Sequence, residues 1–236
     1  MLNKERHQLI MGQILKDIYT NSKIAPQLGF KGGTCAYFFY GLSRFSVDLD
    51  FDLFSPKEED IQKIFKELKI IVRQYGSVRD EWVKANTILC EISYGPDDRN
   101  IKIEVSVREL PFEIRDQYVY KEYLGIPVLA AKKDYLFAGK LAALLARRWL
   151  AMRDVYDIYY FAKNNWDINR EVITVLTGKK FSEYLSDCIK YIEKIPQKQI
   201  LRGLGELVSE KEKTWAKKSL RQETIFLLKL RQKIVK

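Results

Sequence analysis

Histidine is almost missing from this chain: His7 is the single one in 236 residues. One imidazole cannot build an HExxH zinc site or a multi-histidine iron centre, and nothing near His7 suggests a Ser-His-Asp triad. Flanked by Arg6 and Gln8, it reads as a solvated helix residue. Cysteine is scarce as well. Cys35, Cys90 and Cys188 lie far apart with no CxxC pair, which argues against a disulfide framework and a zinc knuckle. Long apolar runs are missing. The most apolar stretch, 136–150, is interrupted by Lys140, Arg147 and Arg148, too short and too charged to span a bilayer. The charged start, with no apolar run behind it, gives no reason to expect a secretory signal, so a soluble cytoplasmic protein is expected. Any catalysis must then come from carboxylates, lysine, arginine and metal.

What is present is ample core material, 47% hydrophobic and 13% aromatic residues, together with an uneven charge. Residues 1–125 carry 18 basic and 19 acidic side chains, whereas residues 126–236 carry 23 basic and 12 acidic. A basic second half suits a polyanion or an acidic partner, although a solvated lysine-rich helical surface gives the same count. Hydrophobic spacing predicts an amphipathic helix over 4–19, an extended piece near 28–30, and a brief helix after Gly32-Gly33. Strict alternation predicts a strand over 46–53. Ser55-Pro56-Lys57-Glu58 reads as a capping box opening a helix to about Tyr75. Strands are expected at 78–83, 87–94 and 101–107, with Gly95-Pro96-Asp97-Asp98 as a turn, and helices with short breaks from Asp134 onward. The fold class is therefore α+β, a mixed sheet with flanking helices over 1–128, followed by an all-α, basic domain over 129–236.

The segment richest in chemistry is Lys31-Gly32-Gly33-Thr34, followed by Arg44-Phe45-Ser46-Val47-Asp48-Leu49-Asp50-Phe51-Asp52. Residues i and i+2 share a strand face, so Arg44, Ser46, Asp48, Asp50 and, at the far end, Asp52 project one way while Phe45, Val47, Leu49, Phe51 and Leu53 enter the core. Neighbouring carboxylates repel unless solvent or a cation compensates, and Mg²⁺ suits such a site because one or two carboxylates suffice beside water and substrate phosphates. Glu104, the only acid within 101–107, is the candidate third carboxylate. Gly32 and Gly33 are a tight turn or, with the Thr34 hydroxyl at a helix start, a phosphate cradle.

In the helical half, Lys140, Arg147 and Asp154 fall on one stripe of a continuous helix, where two cations would hold phosphates; Lys140 equally suits snorkelling from an apolar face. Gly139-Lys140 is not a P-loop, because Asp134 and Leu141 stand where glycine and Ser/Thr are needed. Arg153-Asp154 also fits a helix start, with Asp154 as cap and Asp157 as first-turn acid. Tyr156, Tyr159, Tyr160 and Phe161 suit core and groove lining. Residues 211–236 read as a basic amphipathic helix with Leu220, Phe226, Leu227 and Leu230 on its apolar side.

Gly33-Thr34, thirteen residues, then Asp48-Leu49-Asp50 resembles the signature of DNA polymerase beta-type nucleotidyltransferases. The longer string, with Arg44, Ser46 and Phe51, then Lys140, Arg147 and Arg153-Asp154-Val155-Tyr156-Asp157, is similar to the AbiEii/AbiGii toxin branch of that superfamily. Thr34 replaces a frequent serine and Glu104 a usual aspartate. The resemblance implies an enzyme of abortive infection that moves a nucleoside monophosphate from an NTP to an acceptor, RNA and plausibly the 3′ end of tRNA, under control of an antitoxin. It implies Asp48, Asp50 and Glu104 as ligands of two Mg²⁺ ions, with Lys140 and Asp154 also catalytic. Gly33, Thr34, Arg44, Ser46, Lys140 and Arg147 would hold the nucleotide. Rival readings are a non-catalytic nucleotide or RNA binder acting by sequestration, and a transferase of the same chemistry acting on a small hydroxylated molecule.

Overall fold

The computed structural model describes residues 3–96 and 98–234 and divides into two compact units. The first comprises Met1–Gly41 and Phe45–Lys132; the second comprises Leu42–Arg44 and Lys133–Lys236. The change of unit thus falls four residues beyond the expected one, and the short 42–44 segment packs with the helices.

The first unit opens with α1 (Lys4–Thr20), capped by the Asn3 side chain and burying Met11, Ile14, Leu15 and Ile18 at its 3.6-residue period. There follow β1 (Leu28–Lys31), α2 (Gly32–Tyr40), β2 (Leu49–Leu53), α3 (Glu58–Val72), β3 (Ser77–Lys84), β4 (Thr87–Ser93), β5 (Ile101–Ser106), β6 (Tyr118–Tyr123) and β7 (Ile126–Ala131). One mixed sheet holds the strands in the order β3-β4-β5-β2-β1-β7-β6. β2 pairs antiparallel with β1 and parallel with β5, and β1 pairs parallel with β7. The acid-bearing strand is therefore central, fixed on both edges. Its alternate residues Leu49, Phe51 and Leu53 are buried, and the Phe51 ring lies 5.3 Å from that of Phe30 on β1. Register is strongly fixed here, because a one-residue slip would turn those three side chains out of the core and the aspartates into it.

Several expectations change. β2 starts at Leu49, so Ser46 and Asp48 precede the strand. Their segment is nonetheless held, by side-chain bonds described below. No capping box forms at Ser55: the Ser55 carbonyl accepts from Lys57 N in a turn, α3 begins at Glu58, and its first turn is stabilised by Glu58, Glu59 and Asp60 against the helix dipole. The β6–β7 hairpin was not foreseen. Its two-residue turn, Leu124-Gly125, has φ of 49° and 80°, both in the left-handed region that right-twisted hairpins require, and a leucine there hides the usual signal. His7 is fully buried, not solvated. Asp97 of the expected turn lies outside the described residues.

The second unit is helical: α4 (Lys133–Ala146), α5 (Met152–Lys163), α6 (Arg170–Thr177), α7 (Phe181–Glu193), α8 (Glu210–Trp215) and α9 (Arg221–Ile234), with one π-helical stretch at Ala216–Leu220 joining the last two. Tyr156, Tyr159 and Phe161 are core, as the sequence reading expects. The tail departs from that reading. It is two helices joined by the π segment, Leu220 and Leu228 are buried, and Phe226 and Leu230 are exposed. At 100° per residue Phe226 and Leu230 fall on the side of α9 opposite to the buried Leu220, Thr224 and Leu228. Residues 235 and 236 of that expected helix lie outside the described residues. No helix among the described residues is long and apolar enough to cross a membrane.

Candidate active site

In the first unit, the chain leaves β1 at Lys31 and turns through Gly32 at φ +79°, a conformation that favours glycine. The turn brings the backbone against β2: a Cβ on Gly32 would stand 2.1 Å from Asp50 Oδ2. α2 starts here with no side-chain cap, so its first-turn N–H groups and the positive end of its dipole lie beside the Asp50 carboxylate. In the register of β2 and β5, Asp50 is opposite Glu104. Asp48, Asp50 and Glu104 are all half-buried. Asp52, the next acid on the strand, is buried and has a different fate: Lys31 Nζ lies 2.5 Å from its Oδ1, and the Tyr118 hydroxyl donates to its Oδ2 at 2.6 Å.

The residues ahead of Asp48 are fixed by side chains. Thr34 is fully buried, and its Oγ1 donates to the Asp48 carbonyl. That hydroxyl has one proton, so the Ser46 hydroxyl, 2.9 Å away, donates to Thr34 in turn. His7 reaches the neighbouring peptide, its Nε2 lying 3.0 Å from the Val47 carbonyl. Thr34 and Ser46, expected at the nucleotide, thus spend their hydroxyls on the backbone that carries Asp48.

In the second unit, five charged side chains form one network. Arg44 is buried and bidentate on Asp157, its Nε at 2.5 Å from Oδ1 and its Nη2 at 2.6 Å from Oδ2. Lys140 Nζ bridges Asp157 Oδ2 at 2.9 Å and Asp154 Oδ1 at 3.0 Å. Arg147 Nε stands 2.7 Å from Asp154 Oδ2 as an ion pair without hydrogen-bond alignment. The expected stripe is not one helix, since α4 ends at Ala146 and α5 begins at Met152, yet the three predicted residues meet across the break. Burial opposes the Lys140 charge, but Asp157 and Asp154 outweigh it and hold the ammonium above its ordinary pKa. Burial likewise opposes the Asp154 carboxylate, and Lys140 and Arg147 overcome it, holding that carboxyl below the usual range. Three cations face two carboxylates, and the only member with substantial exposure is Arg147, whose side chain is 39% accessible.

Sequence reasoning gave Asp157 no part in this centre. The Arg-Asp-x-Tyr-Asp spacing carried the signal, since residues 154 and 157 share a helix face and present both carboxylates to one lysine. Among the described residues, no three or more His, Cys, Asp and Glu side chains are gathered closely enough to hold a metal ion. The Asp50–Glu104 pair, with Asp48 two residues earlier, is a hard-oxygen donor set of the kind Mg²⁺ takes with waters and phosphates completing its shell, so the residues fit that ion chemically. Cysteine chemistry is disfavoured: burial pushes the Cys90 and Cys188 thiols to about 12 and that of Cys35 higher.

A mixed sheet whose central strand carries such acids beside a glycine-led helix defines a nucleotidyltransferase-type domain. The family model "Nucleotidyl transferase AbiEii toxin, Type IV TA system" matches residues 13–224, and the chain belongs to that family. It is a nucleotidyl-transfer enzyme of a toxin–antitoxin class. Among solved structures, a candidate nucleotidyltransferase from H. pylori is 20% identical with a TM-score of 0.61, over 98% of this chain and 96% of its own. JHP933 from Helicobacter pylori is 19% identical with a TM-score of 0.55, over 100% and 98%. MenT4, the nucleotidyltransferase toxin Rv2826c from Mycobacterium tuberculosis H37Rv, is 16% identical with a TM-score of 0.55, over 95% and 83%. No curated protein matches the sequence.

Three expectations follow. Gly32→Ala combines an unfavourable φ with a clash on Asp50, and urea unfolding should show a loss of about 1–3 kcal/mol. Asp157→Ala leaves Arg44 and Lys140 buried without their shared partner and should cost about 3–5 kcal/mol in the same measurement. Because the Asp154 carboxyl is held low in the folded chain, its contribution to stability is present above the ordinary carboxylate pKa and lost as pH falls through the folded value. Thermal melts of Asp154→Asn against pH should therefore show a flatter acid limb than wild type.

Proposed function

We propose that the enzyme transfers a nucleoside monophosphate from an NTP to RNA, at a tRNA 3′ end, with Mg²⁺ as cofactor and a cognate antitoxin as its cellular control. The observation that carries the reading is the Asp50–Glu104 register pair beside the start of α2. Asp48 and Asp50 would hold the divalent cation, and Glu104 would complete the set or accept the proton of the attacking hydroxyl. The cation, when bound, neutralises phosphate oxygens and aligns them for in-line displacement. Gly33 offers a backbone N–H for phosphate at the start of α2. In the helical unit, Arg147 supplies a partly exposed guanidinium for phosphate. Lys140 holds the Asp154 carboxylate in place and adds positive field. Thr34, Ser46 and Arg44 serve by positioning, since their polar atoms are committed to protein partners.

RNA is favoured over a small acceptor by the loop between α4 and α5. Trp149 is 66% exposed there, next to exposed Arg148 and to Arg147. An exposed aromatic among guanidinium groups suits base stacking with phosphate contact, for which a small hydroxylated molecule has no use. The second half's basic excess points the same way.

Incubation of the purified chain with Mg²⁺, each α-³²P-labelled NTP in turn and total cellular RNA should place label in a tRNA-sized band with one NTP. Asp48→Ala should abolish the label while circular dichroism shows the fold intact. Transfer retained in Asp48→Ala overturns the metal assignment, and label appearing only on a small molecule overturns the acceptor.

A further inference from the structure

The one histidine is buried against the segment that leads into the acid-bearing strand. His7 lies on the first turns of α1, with no exposed surface. Its Nδ1 is 2.6 Å from the Tyr94 hydroxyl and its Nε2 is 3.0 Å from the Val47 carbonyl. A carbonyl only accepts, so Nε2 carries the proton; Nδ1 is then the acceptor, and the phenol donates to it. Burial lowers the imidazole pKa and favours this neutral tautomer, and the ring packs edge-on against Phe45 and Tyr94, 5.8 and 5.5 Å between centroids. The neighbouring Arg6 clamps the same loop, pairing with Asp98 at 3.0 Å and donating to the Tyr94 carbonyl at 3.1 Å.

Val47 immediately precedes Asp48. The peptides on either side of the Asp48 Cα are thus both held by side chains: the Val47 carbonyl by His7 and the Asp48 carbonyl by Thr34. Since β2 begins only at Leu49, no sheet ladder performs this task for residues 45–48. A carboxylate that must meet a cation within a few tenths of an ångström needs its backbone fixed, and outer partners of metal ligands supply that.

We infer that His7 is a positioning residue for divalent-cation binding by Asp48, acting as a neutral Nε2–H donor to the Val47 carbonyl. The inference rests on the reading of Asp48 as a metal ligand, and nothing in the His7 ring itself touches substrate.

Two substitutions separate its two arms. The side-chain amide of His7→Gln reaches the Nε2 position and can still donate to Val47; the carbonyl of His7→Asn reaches the Nδ1 position and can still accept from Tyr94. His7→Asn leaves a hole larger by about one methylene, so urea unfolding of both variants is read beside Mn²⁺ affinity, and a purely structural histidine would lose affinity only in step with stability. Mn²⁺ affinity of the full chain, measured by electron paramagnetic resonance, should fall about tenfold or more in His7→Asn and stay within about threefold of wild type in His7→Gln. A second readout needs no variant of His7. As the chain holds one histidine, a ¹⁵N spectrum shows one imidazole, expected as the Nε2–H tautomer, and Mg²⁺ should shift its Nε2 resonance in wild type and not in Asp48→Asn. Equal losses in the two His7 variants, an Nδ1–H tautomer, or an imidazole indifferent to Mg²⁺ would each overturn the inference. Asp48→Asn binding Mn²⁺ as wild type does would instead overturn the reading beneath it. Loss in Asp48→Asn with His7→Asn unchanged would remove His7 alone and leave that reading standing.

Discussion

Like charges placed opposite each other on adjacent strands govern the first unit. Asp50 and Glu104 face one another in the β2–β5 register, and Asp48 adds a third carboxylate two residues away. Opposed acids weaken a sheet, so the strand that carries them must be held by something else. It is held by its place: β2 is paired on both sides, Leu49, Phe51 and Leu53 are buried, and Phe51 packs on Phe30. The electrostatic cost is eased locally by the start of α2, whose first N–H groups lie beside Asp50 because Gly32 lets the backbone approach where a side chain would collide. Asp52 shows the opposite solution on the same strand. Fully buried acids need partners, and Lys31 and Tyr118 give it two.

The helical unit solves a different problem with the same chemistry. Arg44, Lys140 and Arg147 could not be buried alone, nor could Asp154 and Asp157; interleaved, each ion has an opposite charge within hydrogen-bond range. A buried network of this kind is poor as a source of net stability, because desolvation cancels most of the attraction, but it is unforgiving of a missing member. Its surplus positive charge has one outlet toward solvent, Arg147. Arg147 is thus the member that reaches solvent, beside the exposed Arg148 and Trp149.

Much of this was legible. The α+β first half, the strand at 101–106, the glycine turn into α2 and the helical second half all follow from periodicity and from turn chemistry. The resemblance to the toxin family was carried by an ordered set of residues over 28–160, and the family match over 13–224 agrees with it. What sequence could not show was direction. Thr34 and Ser46 carry the hydroxyls a nucleotide site would use, and Arg44 the guanidinium, yet their partners are the Asp48 carbonyl and the Asp157 carboxylate. A residue's type states which bonds it can make; only tertiary contacts decide whether a protein group already takes them. The hairpin at 118–131 was hidden for a simpler reason, a leucine occupying a left-handed turn position that usually announces itself with Asn-Gly or Asp-Gly.

His7 is the sharpest case, because local sequence and tertiary fate point in opposite directions. Its neighbours Arg6 and Gln8 are exposed, and a helix surface is where a polar stretch belongs. But at 100° per residue, position 7 lies on the same face as Met11, Ile14, Leu15 and Ile18, which are all fully buried. The amphipathic stripe therefore begins at the histidine, one turn earlier than the apolar residues announce. An aliphatic residue would fill that space equally well. It would leave the Val47 carbonyl without its donor, next to a carboxylate that lies outside the ladder of β2. Burial of a polar ring is thus the cheaper arrangement, and the peptide it satisfies is the one that aims Asp48.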